Sequence, residues 1–207
     1  MLVASDAAFR VWSGNRRWCG WRAAALSAGI ACAITACGSG SSSLPQASIA
    51  TTLAAGEAAL RQHDYYAAEQ LFLQVIKRQP TQVAAYYDLG IAYQDQHDYR
   101  DALRAYNRAQ ALDENFVPAI YNRAVLISGT DPQLAIFLYR RVIALQPDSP
   151  TAYLNLGLLE ATLAPSVHAE AERDLAKAVK LEPSLEARIP RSLRAGLSTA
   201  GRSKKHS

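Results

Sequence analysis

Small and bulky apolar residues return along this chain at a near-constant interval. Gly56, Gly90, Ala124 and Gly157 are separated by 34, 34 and 33 residues, and Ala68, Ala102, Ala135 and Ala171 by 34, 33 and 36. Four residues after each of those alanines comes Phe72, Tyr106, Tyr139 or Leu175, and eight residues later Pro80, Glu114, Pro147 or Pro183. The tetrapeptide Gln-His-Asp-Tyr occurs at 62–65 and again at 96–99, also 34 apart. A fixed period of this length is that of a helix–turn–helix unit stacked on copies of itself. A small residue lets two helices approach to about 8–10 Å. An alanine and the bulky residue four positions on share a helix face. Proline cannot continue a helix and so marks the end of each unit. The uneven steps of 33 and 36 fall between the two small positions, in the turn. Thr130-Asp131-Pro132 makes one turn short and Ala164-Pro165-Ser166 makes another long, changes that loops tolerate and packed helices do not.

Beyond the last copy, Leu185, Ile189, Leu193 and Leu197 recur every four residues, which predicts one more helical face that caps the array. Pro190 interrupts it, so the expected cap is kinked or broken.

This array resembles the tetratricopeptide repeat family over 49–82, 83–116, 117–149 and 150–185. In the second copy Tyr86, Leu89, Gly90, Tyr93, Tyr99, Ala102, Tyr106 and Ala109 match the family pattern. The third copy carries Arg123-Ala124 where the family favours Leu-Gly, the first lacks large residues in its opening helix (Thr52, Ala55, Ala59), and the fourth has Glu160 in place of an aromatic. Weak outer copies suit capping repeats, which have one face in water. The resemblance implies an all-α, right-handed α-solenoid of about four repeats. A disordered leader and tail are expected on either side.

The start of the chain has a different pattern. Residues 1–22 hold Arg10, Arg16, Arg17 and Arg22 against Asp6, and residues 23–36 are small or apolar without charge. Cys37 follows, then a Gly/Ser run to Ser43. A basic segment, a short apolar segment and small residues before a cut site describe a secretory signal peptide, and the apolar stretch is shorter than the ~20 residues of a spanning helix. Ile34-Thr35-Ala36-Cys37 resembles the bacterial lipobox, which implies diacylglycerol (with palmitate-type chains) on the Cys37 sulfur and cleavage just before it. The expected layout is a signal peptide at 1–36, a flexible tether at 37–48, the array at 49–185, and a cap with basic tail at 186–207. An ordinary signal peptide with a chance cysteine is the other reading. Arg16-Arg17 has poor flanks for twin-arginine export.

Charge follows the same divisions. Residues 1–36 carry +3, the array −4 and residues 186–207 +5, so the net +4 resides in leader and tail. No nucleic-acid-binding surface is expected from that distribution. Trp12, Trp18, Trp21, Cys19 and Cys32 all precede Cys37, so the processed chain would have no intramolecular disulfide.

Candidate chemistry is sparse. His63 and His97 occupy one turn position in successive repeats; a shared metal site is one reading and two left-handed turn residues the other. No cysteine or acidic ligand set accompanies them at metal spacing, and no phosphate loop, nucleophile elbow or zinc motif is present. Glu170, Glu172 and Asp174 read as a solvated helix face. The chain is therefore expected to need no cofactor or metal and to have no catalytic residues.

A surface remains. The family places the first helix of each repeat along a concave groove, and the resemblance puts Leu53 and Glu57, Tyr87 and Ile91, Tyr121 and Val125, and Leu154 and Leu158 on it. Asp88, Asn122 and Asn155 stand beside them and could bond a peptide backbone. Tyr87 and Tyr121 are the expected anchors, and the lining suits an extended segment or amphipathic helix. Its lack of a Lys/Arg cluster argues against capture of a C-terminal carboxylate there. The main reading is a lipid-anchored extracytoplasmic scaffold that holds a protein partner during envelope, pilus or secretion-machine assembly. A cytoplasmic adaptor with a misread or uncleaved tether is one alternative, and a cell-wall glycan-binding accessory protein another.

Overall fold

The computed structural model describes residues 48–163 and 168–200. Helices α1 (Ile49–Arg61) and α2 (Tyr65–Arg78) form a first hairpin, α3 (Val83–Asp95) and α4 (Tyr99–Leu112) a second, α5 (Val117–Ile127) and α6 (Pro132–Leu145) a third, and α7 (Pro150–Leu163) and α8 (His168–Leu181) a fourth. A 3-10 turn (Pro183–Arg188) and α9 (Arg191–Ala200) follow. Each helix packs on the next, and α1 also touches α3. The described residues thus form an all-α solenoid of about four helix–turn–helix repeats.

The period has a direct packing cause. A Cβ built on Gly56 would stand 2.5 Å from the Phe72 ring, one on Gly90 2.5 Å from the Tyr106 ring, and one on Gly157 2.8 Å from Leu175. In these three hairpins the bulky residue of the second helix therefore lies directly on the small residue of the first, and in the third hairpin Ala124 and Tyr139 share one buried cluster. Phe72, Tyr106, Tyr139 and Leu175 are buried, as are Ala68, Ala102, Ala135 and Ala171.

The connectors repeat as well. The N–H of Gln79, Asp113, Gln146 and Glu182 closes the second helix on the carbonyl of Val75, Ala109, Val142 and Ala178. Three residues on, Gln82, Phe116, Ser149 and Leu185 donate back to those same four residues. Proline at 80, 147 or 183 lacks an N–H, and this turn asks none of that position. Glu114 shows that the turn also forms without it.

The tetrapeptide is a turn device. His63 and His97 have φ of 61° and 63°, the left-handed region. Around the first, Asp64 N donates to Ala59 O and His63 N to Leu60 O; around the second, Asp98 N donates to Tyr93 O and His97 N to Gln94 O. This is the Schellman pattern that ends a helix. Asp64 and Asp98 then cap the next helix by accepting from the amides of Ala67 and Asp101, and Asp131 does the same for Leu134. The tyrosine hydroxyls of Tyr65 and Tyr99 lie 2.8 and 3.0 Å from Nδ1 of His63 and His97. Left-handed backbone costs a non-glycine residue about 1–2 kcal/mol, so His97→Gly should raise stability by about 0.5–1 kcal/mol. A urea midpoint that falls would show that the exposed His–Tyr contact outweighs the strain.

The cap is broken at the expected place. Leu185 and Ile189 are buried with Leu154, Leu175 and Ala178, and Leu193 and Leu197 lie against that cluster. Pro190 separates the 3-10 turn from α9. Arg194 spans the break, its Nε donating to Ile189 O at 2.7 Å and Nη2 to Ala187 O at 2.8 Å. The segment expected as a signal peptide, Cys37, residues 164–166 and the basic tip of the tail lie outside the described residues.

Candidate partner-binding groove

The first helices carry the residues expected on the groove at equivalent positions, two or three before and one after the small residue. Leu53, Glu57, Ile91, Val125, Asn155 and Leu158 are partly exposed. Leu53, Ile91, Val125 and Leu158 each rest on a different part of the core. Their inner sides are anchored and their outer sides meet water. Equivalent positions on successive first helices thus carry a partly exposed apolar residue, with Glu57 also partly exposed in the first hairpin and Asn155 in the fourth.

The expected anchors behave differently. Tyr87 is 7% exposed and Tyr121 3%. The Tyr87 ring lies 5.9 Å from that of Tyr106 and 5.4 Å from that of Phe116, and the Tyr121 ring 5.9 Å from that of Tyr139. Both are floor rather than protruding contacts, because the bulky residue of the second helix fills the space beneath them. Asp88, Asn122 and Leu154 are also buried.

The amides expected to face a peptide instead join the repeats. Asn122 Nδ2 donates to Tyr106 OH at 3.3 Å and to Tyr87 OH at 3.5 Å, and Asn155 Nδ2 donates to Tyr121 OH at 3.0 Å. Each bond runs from one repeat to the one before. Tyr106 OH donates onward to Gln94 Oε1 at 3.0 Å. Burial pushes the Tyr106 phenol well up from its ordinary range, with Tyr87 next to it adding to the effect. The Tyr106 hydroxyl therefore stays protonated. The signal was present in the chain: Tyr87–Asn122 and Tyr121–Asn155 are 35 and 34 residues apart.

The acidic face of α8 also departs from expectation. Glu160 is 2% exposed and pairs with Arg140 at 2.8 Å, and Arg140 reaches Glu170 at 3.5 Å. Burial pushes Asp174 up from 3.8 to about 6, and neighbouring Glu160 and Glu170 add to this while Arg140 and Arg173 oppose it. Asp174 is thus a half-buried acid beside the buried Glu160 and its Arg140 partner, between the third and fourth repeats, while Glu170 is exposed. A carboxyl raised in the folded state favours folding when protonated. The Asp174 contribution is fully present below about pH 4 and is lost as pH rises through about 6. Asp174→Asn should melt progressively higher than the parent as pH goes from 4.5 to 7, on the order of a few degrees by the end. A melting difference that stays constant across that window would remove the assignment.

Among the described residues no three His, Cys, Asp or Glu side chains could hold a metal ion. No described helix is long and apolar enough to cross a membrane.

Residues 83–116, the hairpin of α3 and α4 with its connector, match the family model of the tetratricopeptide repeat. That hairpin is a tetratricopeptide repeat. Among curated proteins it is similar to the photosystem I assembly protein Ycf3 of Prochlorococcus marinus (strain NATL2A), 32% identical over 78 residues, which are 36% of this chain and 45% of that protein. The chain thus spans about half the length of the curated relatives it matches. Among solved structures, a crystal structure of MamA is 25% identical with a TM-score of 0.60 over 68% of this chain and 81% of that one. The first repeat domain of Spaghetti (RPAP3), solved with an HSP90 peptide, has a TM-score of 0.53 at 20% identity over 56% of this chain and 92% of that one. The last is a likeness of fold alone. Tetratricopeptide-repeat folds are characteristically non-catalytic scaffolds that present an extended concave surface.

Proposed function

We propose that the protein is a lipid-anchored, extracytoplasmic scaffold that holds a segment of a partner protein along its first helices. The observation that carries the groove is the row of partly exposed Leu53, Ile91, Val125 and Leu158, each seated on a different part of the core. A rigid apolar row loses little entropy when a partner covers it. Tyr87 and Tyr121 form its floor, Glu57 and Asn155 supply polar ends, and the amide ladder keeps adjacent repeats in register. An RPAP3 repeat domain of this fold holds a peptide, and a bound segment is the natural occupant here too. Membrane attachment rests on the sequence alone, on the basic and apolar leader ending at Cys37 followed by Gly/Ser. Assembly of an envelope, pilus or secretion complex is the class of work this layout suits.

Two changes test the two halves separately. Ile91→Arg/Val125→Arg should keep its helical spectrum, because both positions reach solvent, yet lose its co-purifying partner. Cys37→Ser should lose a palmitate-analogue label and leave the membrane fraction. Undiminished partner recovery from the first variant would remove the groove, and a Cys37→Ser protein that stays labelled and membrane-bound would remove the anchor.

A further inference from the structure

Arg123 and Arg141 set the third repeat apart: the first is a cation where the second and fourth repeats have leucine, and the second lacks the aromatic ring that its equivalents cover. Arg123 stands immediately before the small residue, where the second and fourth repeats bury Leu89 and Leu156. It remains partly exposed, and its Nη1 donates to Gln110 Oε1 at 2.9 Å. Arg141 stands two residues after the bulky Tyr139. At that position in the second and fourth repeats, Arg108 lies 5.8 Å over the Tyr86 ring and Lys177 6.0 Å over the Tyr153 ring. The third repeat has Ile120 where those rings stand. Arg141 has no ring to cover, and its Nη2 reaches back to the Glu114 carbonyl at 2.8 Å.

Both guanidiniums line an open cleft of about 370 Å³ between α4, α5 and α6, with Asn107, Gln110, Ala111 and Glu114. Their recorded partners are neutral: an amide oxygen and a backbone carbonyl. Glu114 borders the cleft without forming an ion pair with either arginine. The cleft is not the groove. Arg123 is two residues from both Tyr121 and Val125, so it points about 200° round α5 from them.

We propose that this cleft is a second docking point, which takes an acidic side chain of a protein partner. A guanidinium offers paired donors that match a carboxylate, and two of them with the Asn107 and Gln110 amides make a site selective for one carboxylate. The array is acidic overall, by four charges. That field disfavours a polyanion, while a single carboxylate within the cleft sees chiefly the adjacent guanidiniums. This site stands whether or not the groove is used.

The test is a titration of the full chain with acetyl-diglutamyl amide, followed by the arginine side-chain NMR resonances. Acetyl-diglutaminyl amide and inorganic phosphate serve as the other two arms. Saturable millimolar binding is expected, with shifts at Arg123 and Arg141, no response to the diglutaminyl probe and a weaker one to phosphate. Arg141→Gln and Arg123→Leu should each weaken it about tenfold. Arg123→Leu restores the residue of the neighbouring repeats and should not melt below the parent; if it fails to fold, Arg141→Gln decides alone. Absence of binding, affinity unchanged by the variants, or phosphate binding as tightly as the diglutamyl probe would overturn the proposal.

Discussion

Tyr106→Ala should cost about 3–5 kcal/mol, the largest single-site loss expected in this protein. The ring is fully buried and lies against Gly90, where a Cβ would stand 2.5 Å away. Its removal empties the narrowest contact of the second hairpin, and a helix pair held apart by α3 and α4 backbones cannot collapse fully to fill it. The hydroxyl adds a separate share, since it donates to Gln94 and accepts from Asn122 of the next repeat. Tyr106→Phe isolates that share and should cost about 1 kcal/mol. Urea unfolding of the two variants separates the contributions. Equal losses in both would mean that the hydrogen bonds, not the ring on the glycine, hold the hairpin together. In a stack each repeat leans on its neighbours, so the Tyr106→Ala loss should also reach α5.

The second large effect lies between the third and fourth repeats. Glu160 is buried, with one oxygen on Arg140 at 2.8 Å and the other, Oε2, without a hydrogen-bond partner. The Arg140 side chain is 57% exposed. Arg140→Ala leaves a buried carboxylate without its counter-charge. Fully buried pairs lose about 3–5 kcal/mol on such a change and exposed pairs under about 1, so a loss near 2 kcal/mol is expected for this mixed pair. Glu160→Ile installs the residue of the third repeat, Ile127, and should be neutral or stabilising, because replacing a buried charge by packed hydrocarbon removes its desolvation cost. In that background Arg140→Ala should cost little. Calorimetric melting of the four proteins closes the cycle. An Arg140→Ala loss that persists beside Glu160→Ile would show that the arginine acts through Glu170 or by packing its stem.

The repeat architecture was legible because its cause is local and recurrent. Gly56, Gly90 and Gly157 with their bulky partners four residues past an alanine encode one contact several times over, and errors in one copy are corrected by the others. The left-handed turn at His63 and His97 and the break at Pro190 were legible for the same reason: each is a backbone property of a residue type. The candidate groove is a different case. Position along a first helix tells which face a side chain takes, and Leu53, Ile91, Val125 and Leu158, which the resemblance implies as groove lining, are partly exposed. Depth is set by what lies beneath, and Tyr87 and Tyr121 sink because Tyr106 and Tyr139 give their rings an aromatic bed. Asn122 and Asn155 looked free for a ligand because their tyrosine partners stand a whole repeat away. Asp174 looked solvated because surface acids usually are, and only Arg140 of another hairpin explains why a buried carboxylate at Glu160 is tolerated beside it.

The central claim is that the first helices form the surface that holds a partner. A photoreactive amino acid placed in living cells at Ile91 or Val125, and as a control at the exposed Arg100 on α4, addresses it most directly. The groove predicts one protein adduct of the same mass from Ile91 and from Val125, and none of that mass from Arg100. Adducts of equal yield from all three positions, or from Arg100 alone, would contradict it.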